Sequence, residues 1–235
     1  MRKAISLSPR LEAAAQMLGR ADTVWDVGCD HGFLSAALLQ SGLAEKVIAS
    51  DISPASVVKA RVLAERLGLS ERMSVRAADG LSGEPPEGDH KIAVCGMGGE
   101  LIAQMLGAAP DAARAAALIV MQPMRGEEEL RRFLAEEGYS ILAERVVEDD
   151  GRFYQLIAAK YGGGCTIPDW FPKGYYRFGW VMCEDPDDTL IALLTKYRAV
   201  YAGRLASAQR RGRTPQKLVD ELAAVDILIG HIEGR

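Results

Sequence analysis

The stretch Thr23-Val24-Trp25-Asp26-Val27-Gly28-Cys29-Asp30-His31-Gly32-Phe33 decides the reading of this 235-residue chain. Its apolar members Val24, Trp25 and Val27 have the composition of a short buried strand. The run ends in two glycines, Gly28 and Gly32, and Leu34-Ser35-Ala36-Ala37-Leu38-Leu39 then reads as the start of a helix. A strand, a glycine turn and a helix make a nucleotide-binding corner, because glycine lets the backbone approach a ligand at the helix N-terminus. A dinucleotide fingerprint asks for G-x-G-x-x-G, so that a pyrophosphate meets bare backbone. Here the middle position is Asp30, and Asp26 closes the strand. Two carboxylates repel a pyrophosphate and suit a ligand whose reactive end is cationic.

Upstream, Pro9 to Leu18 has apolar and small residues at helical spacing, with Ser8 as the expected N-cap and Pro9 at the first helical position. Arg2, Lys3 and Arg10 make this end basic, and Arg10 is a candidate RNA contact. Downstream, Val47 to Asp51 reads as a second strand. Ser53-Pro54 caps a helix running to Leu67, with Gly68 as its C-cap. Met73 to Ala77 is a third strand followed by Asp79-Gly80, and Gly83 to Asp89 is a loop. Ile92 to Cys95 is a fourth strand ending in Gly96-Met97-Gly98-Gly99, with a helix through Leu106. Leu118 to Met121 is a fifth strand ending in Gln122-Pro123-Met124, followed by a helix from Glu127 to Glu137. Successive βα units predict a doubly wound parallel sheet. The pattern then breaks, because Tyr139–Val147 and Phe153–Ala159 are joined only by Glu148-Asp149-Asp150-Gly151-Arg152, an antiparallel hairpin.

The expected fold is therefore α/β: a seven-stranded sheet with an antiparallel last hairpin, the plan of a class I (Rossmann-like) methyltransferase rather than of a dehydrogenase. It occupies residues 1–160. Residues 161–235 form a connector and a C-terminal antiparallel helical hairpin. The connector, Tyr161 to Asp188, is rich in glycine, proline and aromatics and reads as an irregular segment packed through its rings. Leu190, Leu194, Tyr197, Tyr201, Leu205 and Ala208 share a stripe on the first helix. Leu218, Leu222, Val225 and Ile229 share one on the second.

Apolar residues at 49% and charged residues at 26% are those of a soluble globular protein. The net charge of −4 carries no general nucleic-acid signal, but Thr189 to Val219 holds seven Lys or Arg and no acid. Lys196, Arg204, Arg210, Arg211 and Arg213 are its candidate RNA-backbone contacts. Four cysteines without C-x-x-C spacing and three scattered histidines predict neither a disulfide scaffold nor a metal site. The expectation is a cytoplasmic protein with no membrane segment, no required protein partner and a monomeric state.

The acids fall at successive strand ends, beside the switch point where α/β sheets bind ligands. Asp51, placed to accept ribose hydroxyls, fits an adenosine-bearing ligand, and Asp79 suits its adenine amino group. Asp26 with Gly28 and Gly32 suits a methionine half. S-adenosylmethionine has a sulfonium, an ammonium and no phosphate, which makes it the expected cofactor. The chain lacks the N/D-P-P-Y/F motif that grips an exocyclic amine and a Pro-Cys nucleophile for pyrimidine carbon. A ring nitrogen such as adenine N1 needs neither, and Asp30 is placed to favour the cationic product.

The motifs Asp26-Val27-Gly28-Cys29-Asp30-His31-Gly32, Ser50-Asp51-Ile52, Asp79-Gly80-Leu81, Gly96-Met97-Gly98-Gly99-Glu100-Leu101-Ile102 and Gln122-Pro123 resemble the bacterial TrmK family of tRNA (adenine-22-N1)-methyltransferases. The resemblance extends to Leu7-Ser8-Pro9-Arg10-Leu11 and to the C-terminal helices. It implies S-adenosylmethionine as donor, tRNA as substrate and a C-terminal domain that helps hold the tRNA. It implies catalytic roles for Asp30, His31, Gly96 and Met97, and adds Ile52 and Gly80 to the cofactor set. Phe33, Gln122 and Pro123 join the substrate set. The chain departs from the family at Phe33, where a tyrosine is usual, and at Met124, where an asparagine is usual. A small-molecule methyltransferase and a binding protein without turnover remain the alternatives.

Overall fold

The Val-Trp-Asp-Val run forms an interior strand of the sheet, β1 (Ala21–Val27), in which Val24 and Trp25 have no solvent exposure. The computed structural model describes residues 4–83, 85–86 and 88–234. Arg2 and Lys3, two of the three cations expected at the N-terminus, lie outside the described residues. The chain divides into two compact units, Met1–Cys165 and Thr166–Arg235.

In the first unit β1 pairs in parallel with β2 (Ala44–Asp51) on one side and β4 (His90–Met97) on the other. Beyond them lie β3 (Met73–Ala77), parallel to β2, and β5 (Leu118–Pro123), parallel to β4. The sheet ends in the hairpin β6 (Tyr139–Asp149) and β7 (Arg152–Tyr161), giving the order β3-β2-β1-β4-β5-β7-β6. Asp150 and Gly151, at φ +50° and +70°, make the two-residue turn between its strands, a geometry whose twist matches paired antiparallel strands. The direction of winding reverses between β1 and β4, so a crevice opens there at the strands' carboxyl ends.

Alternation along the strands builds two cores. Val24, Val47, Ala49, Ala93 and Val120 are buried with residues of α1 (Pro9–Leu18), α2 (Phe33–Gln40) and α3 (Pro54–Leu67). Trp25, Ile92, Val94, Ile119 and Met121 are buried on the opposite face. The remaining helices of the unit are α4 (Gly99–Ala108), α5 (Pro110–Ala115) and α6 (Glu127–Glu136). Three local expectations are corrected. Ser8 is the N-cap of α1, but its buried hydroxyl has no hydrogen-bond partner among the described residues and makes no capping bond. Among the described residues no helix joins β3 to β4, so the βα succession is broken there by the Pro/Gly loop. Two helices rather than one follow β4.

In the second unit the rings of the connector form a continuous cluster. Phe171 meets Trp170, Trp180 and Tyr175 at 5.5, 5.6 and 6.5 Å, and Phe178 meets Tyr197 at 5.2 Å. Two helices follow, α7 (Asp188–Gln209) and α8 (Gln216–Glu233). Leu190, Leu194 and Tyr201 of the expected α7 stripe are buried, as is Leu193. The buried face of α8 is Ala224, Val225 and Leu228, whereas the expected Leu218, Leu222 and Ile229 are only half-buried. α8 packs on α7 and on the short 3-10 turn Val181–Cys183.

Candidate active site

Asp26, the penultimate residue of β1, is the buried acid of the crevice. Its side chain borders a cleft of about 510 Å³, yet the residue is only 3% exposed. The hydroxyl of Ser35, fully buried in the first turn of α2, donates to Asp26 Oδ2 at 2.6 Å. Burial lifts the Asp26 carboxyl from 3.8 to about 6. Hydrogen bonds from the Ser35 hydroxyl and backbone N–H oppose the rise, and the charge of Asp51 adds to it.

The glycine turn that follows is held from β2. The N–H groups of Gly28 and Cys29 both donate to Ser50 O, at 2.8 and 2.9 Å. Gly28 sits at φ +73°, and a Cβ there would meet Met97 Cε at 1.9 Å, so the Met97 methyl takes the space of a side chain where β1 and β4 converge. Asp30 occupies the left-handed region at φ +48°, a conformation that aspartate tolerates better than most residues. Its N–H donates to Asp51 Oδ2 at 3.0 Å, while Ser53 N–H donates to Asp51 Oδ1 at 2.8 Å. One carboxylate at the end of β2 thus fixes both the turn and the approach to α3. The Asp30 side chain is exposed, with Oδ2 2.7 Å from His31 Nδ1 and Oδ1 3.5 Å from Ser56 Oγ. The His31 ring stacks parallel on Phe33, with centroids 5.5 Å apart. An acid and two aromatic faces therefore form one rim of the cleft.

At the end of β4, Gly96 lines the cleft at φ +82°. Gly99 serves packing instead, since a Cβ there would lie 1.9 Å from Gly126 O. Opposite, Arg10 of α1 is held by three groups. Its Nη1 donates to Gln122 Oε1 at 2.8 Å, its Nε lies 3.4 Å from Asp149 Oδ2, and its guanidinium lies 5.7 Å from the centre of the Tyr154 ring. Asp26, Asp30, Asp51 and Asp79 line the cleft, and Arg10 is the one Lys or Arg among its described lining residues.

Of the residues expected from the sequence, Arg10, Asp26, Gly28, Asp30, His31, Phe33, Asp51, Ile52, Asp79, Gly80, Gly96 and Met97 lie together around this cleft. Gly32 does not line it. The space beside Gly32 is taken by Met73 Cε and Ala60 Cβ, 2.7 and 3.1 Å from where a Cβ would stand, so this glycine serves the packing of α2 on its neighbours. Gln122 and Pro123 are buried in β5 and also lie outside the lining, with Gln122 reaching the site only through Arg10. Lys196, Arg204, Arg210, Arg211 and Arg213 are exposed in the second unit. The neighbouring Arg198 pairs with Asp226 at 2.6 Å. The lining also includes Leu11, Cys29, Cys95, Leu101 and Met105, to which the sequence reading gave no site role. Leu101 and Met105 stand four apart on α4, and that spacing on a half-exposed helix is the signal that could have found them.

The Methyltransferase domain family matches residues 7–157 of the chain. A Bacillus subtilis tRNA (adenine(22)-N(1))-methyltransferase is 30% identical over 158 residues, a match covering 67% of this chain and 66% of that protein. The chain thus spans just under two-thirds of the length of that curated relative. A Streptococcus pneumoniae crystal structure, described as a candidate tRNA (m1A22) methyltransferase, is 27% identical with a TM-score of 0.84, covering 95% of this chain and 99% of that one. The same Streptococcus protein in complex with S-adenosyl-L-methionine is similar at 27% identity and a TM-score of 0.81, over 93% and 97% of the two chains.

Proposed function

Because the chain belongs to the methyltransferase-domain family, we propose that it transfers a methyl group from S-adenosylmethionine to N1 of an adenosine in tRNA. Position 22 is the target by likeness to its relatives. The TrmK resemblance of the motifs and the names of the Bacillus and Streptococcus proteins point the same way. The observation that carries the reading is the buried Asp26 carboxylate and Gly28 at the end of β1 in the cleft lining, with Asp51 across the turn.

The residues fit the donor. Asp26 suits an ammonium, because a buried acid with a raised proton affinity gains most from a cationic partner. Asp51 suits the two ribose hydroxyls, and Asp79 the adenine amino group. When bound, S-adenosylmethionine supplies a methyl group on a positively charged sulfur. Adenine N1 carries a lone pair and no proton, so the protein needs no general base, only positioning. Methylation leaves the ring cationic, and the exposed Asp30 carboxylate at the rim stabilises that charge. The stacked His31 and Phe33 offer a face to the extruded base. The exposed cations of the second unit, Lys196, Arg204, Arg210, Arg211 and Arg213, engage RNA phosphates.

The test is incorporation of labelled methyl from S-adenosylmethionine into unmodified tRNA transcripts carrying adenosine or guanosine at position 22. Label in the adenosine transcript alone supports the reading. Asp30→Ala should cut turnover and leave donor affinity intact. Donor binding without any RNA methylation would leave a binding protein or a small-molecule methyltransferase.

A further inference from the structure

Extruding an adenosine from its stack brings more than a base to the cleft. The nucleotide stays joined to its chain by a phosphate on each side. Both are drawn toward a mouth that Asp26, Asp30, Asp51 and Asp79 already make negative. That repulsion has to be offset where the base enters. Lys196, Arg204, Arg210, Arg211 and Arg213 belong to the second unit. In the first unit, Arg10 is held within the lining by Gln122 and Asp149.

Arg125 meets the requirement. It lies in the junction Met124-Arg125-Gly126 after β5, which is tied to the end of β4 at two points. Met124 N–H donates to Met97 O at 2.8 Å, and Gly99 N–H donates to Arg125 O at 2.7 Å. Gly126, at φ +75°, then turns the chain directly into α6. The Arg125 backbone is thus fixed while its side chain is exposed. Its Nε lies 4.0 Å from where a Cβ on Gly98 would stand, so the side chain folds back over the Gly96-Met97-Gly98-Gly99 turn. Gly98 itself stands between Met97 and Leu101, two residues of the cleft lining. Among the described residues the Arg125 guanidinium has no hydrogen bond or ion pair, and Glu128, in the first turn of α6, is held by Arg132 at 2.9 Å.

We propose that Arg125 is a substrate-binding residue that holds a phosphate flanking the extruded adenosine. The assignment rests on the tRNA-methylation reading above. A planar guanidinium presents paired N–H donors to two phosphate oxygens. Such a contact reads no sequence. It fixes how far the nucleotide enters, and so where N1 comes to rest against the methyl group.

The test combines neutral linkages with Arg125 variants of the full chain. tRNAs assembled by ligation carry a methylphosphonate on the 5′ or the 3′ side of adenosine 22, with 2′-O-methyl sugars at both linkages in every RNA. For wild type, one of the two replacements should weaken binding about 10-fold, the scale of a lost charge-assisted hydrogen bond. Arg125→Gln should bind the RNA with ordinary phosphates about 10-fold more weakly and lose nothing further from that replacement. It should flatten the dependence of log K on log salt by about 1 and keep wild-type affinity for S-adenosylhomocysteine, with Arg125→Lys recovering part of the RNA binding. Losses that add, so that each neutral linkage costs Arg125→Gln as much as wild type, overturn the proposal. A wild type indifferent to both linkages overturns it too, even if the variants fail to fold. A wild type that binds S-adenosylhomocysteine but methylates no tRNA overturns the tRNA reading, and this assignment with it.

Discussion

Asp26 is an acid that the fold holds against its own ionisation. Its folded value near 6 lies above the ordinary 3.8, so the folded protein keeps this proton more tightly than the unfolded chain does. The stabilisation is therefore complete below about pH 4 and is lost as pH rises through 6, a change of about 3 kcal/mol for a two-unit shift. Thermal unfolding of the ligand-free protein between pH 4 and 7 should show wild type losing stability relative to Asp26→Asn, whose amide oxygen still accepts from Ser35. Parallel curves would mean that Asp26 titrates elsewhere. Binding should reverse the effect. An ammonium against Asp26 favours its charged form, so donor uptake near pH 6 releases a proton and none is released at pH 8. Titrations in buffers of different ionisation enthalpy measure this directly. The same residue shows what a sequence can carry. Asp26 and Asp51 were legible in the cleft lining as acids at the ends of apolar strands, and Asp30 from its place in the glycine turn. Gln122 was not, because a polar residue at a strand end gives no sign of whether it faces a ligand or props the residue that does. Arg10, expected from the basic N-terminus, lies in the cleft lining, and its charge alone does not say which anion it meets.

The glycines decide how the elements meet, and the structure separates roles that spacing merges. Gly32, at φ +75° and with no room for a Cβ, is expected to cost about 1–3 kcal/mol as Gly32→Ala, through backbone strain and overpacking. Gly99→Ala drives a Cβ onto the backbone oxygen of Gly126 and should cost about 3 kcal/mol. Gly203, inside α7 with nothing near its Cβ position, should gain about 0.5–1 kcal/mol as Gly203→Ala. Denaturant unfolding of the three variants checks the ranking, and a destabilised Gly203→Ala would refute the account of α7. Element existence was readable because buried parallel strands are continuous apolar runs and caps punctuate helices. The face of α8 was not. Its buried set lies about one position from the expected stripe, and the 3-10 turn packs on the helix, a contact that is not local to it. Ser8 likewise has the right identity and position for a cap, but its hydroxyl does not point at the helix N–H groups.

The whole molecule carries a net charge of −4, so the proposed RNA binding has to rest on a local concentration of cations. The exposed turn between α7 and α8 concentrates Arg210, Arg211 and Arg213. Replacing all three by alanine should weaken tRNA binding and flatten the dependence of log K on log salt by about 2 to 3, while affinity for S-adenosylhomocysteine stays unchanged. An unaltered salt slope would remove this turn from the RNA interface. Among the described residues no helix is long and apolar enough to cross a membrane. The proposed reaction is one chemical event, a methyl group passing to a ring nitrogen that needs positioning rather than proton transfer. The most direct measurement is mass spectrometry of nucleosides from an adenosine-22 tRNA transcript, incubated near neutral pH with this protein and S-adenosylmethionine. The account predicts 1-methyladenosine, absent from the guanosine-22 transcript. N6-methyladenosine as the initial product, a methylated pyrimidine, or an unmodified transcript despite bound donor would contradict it.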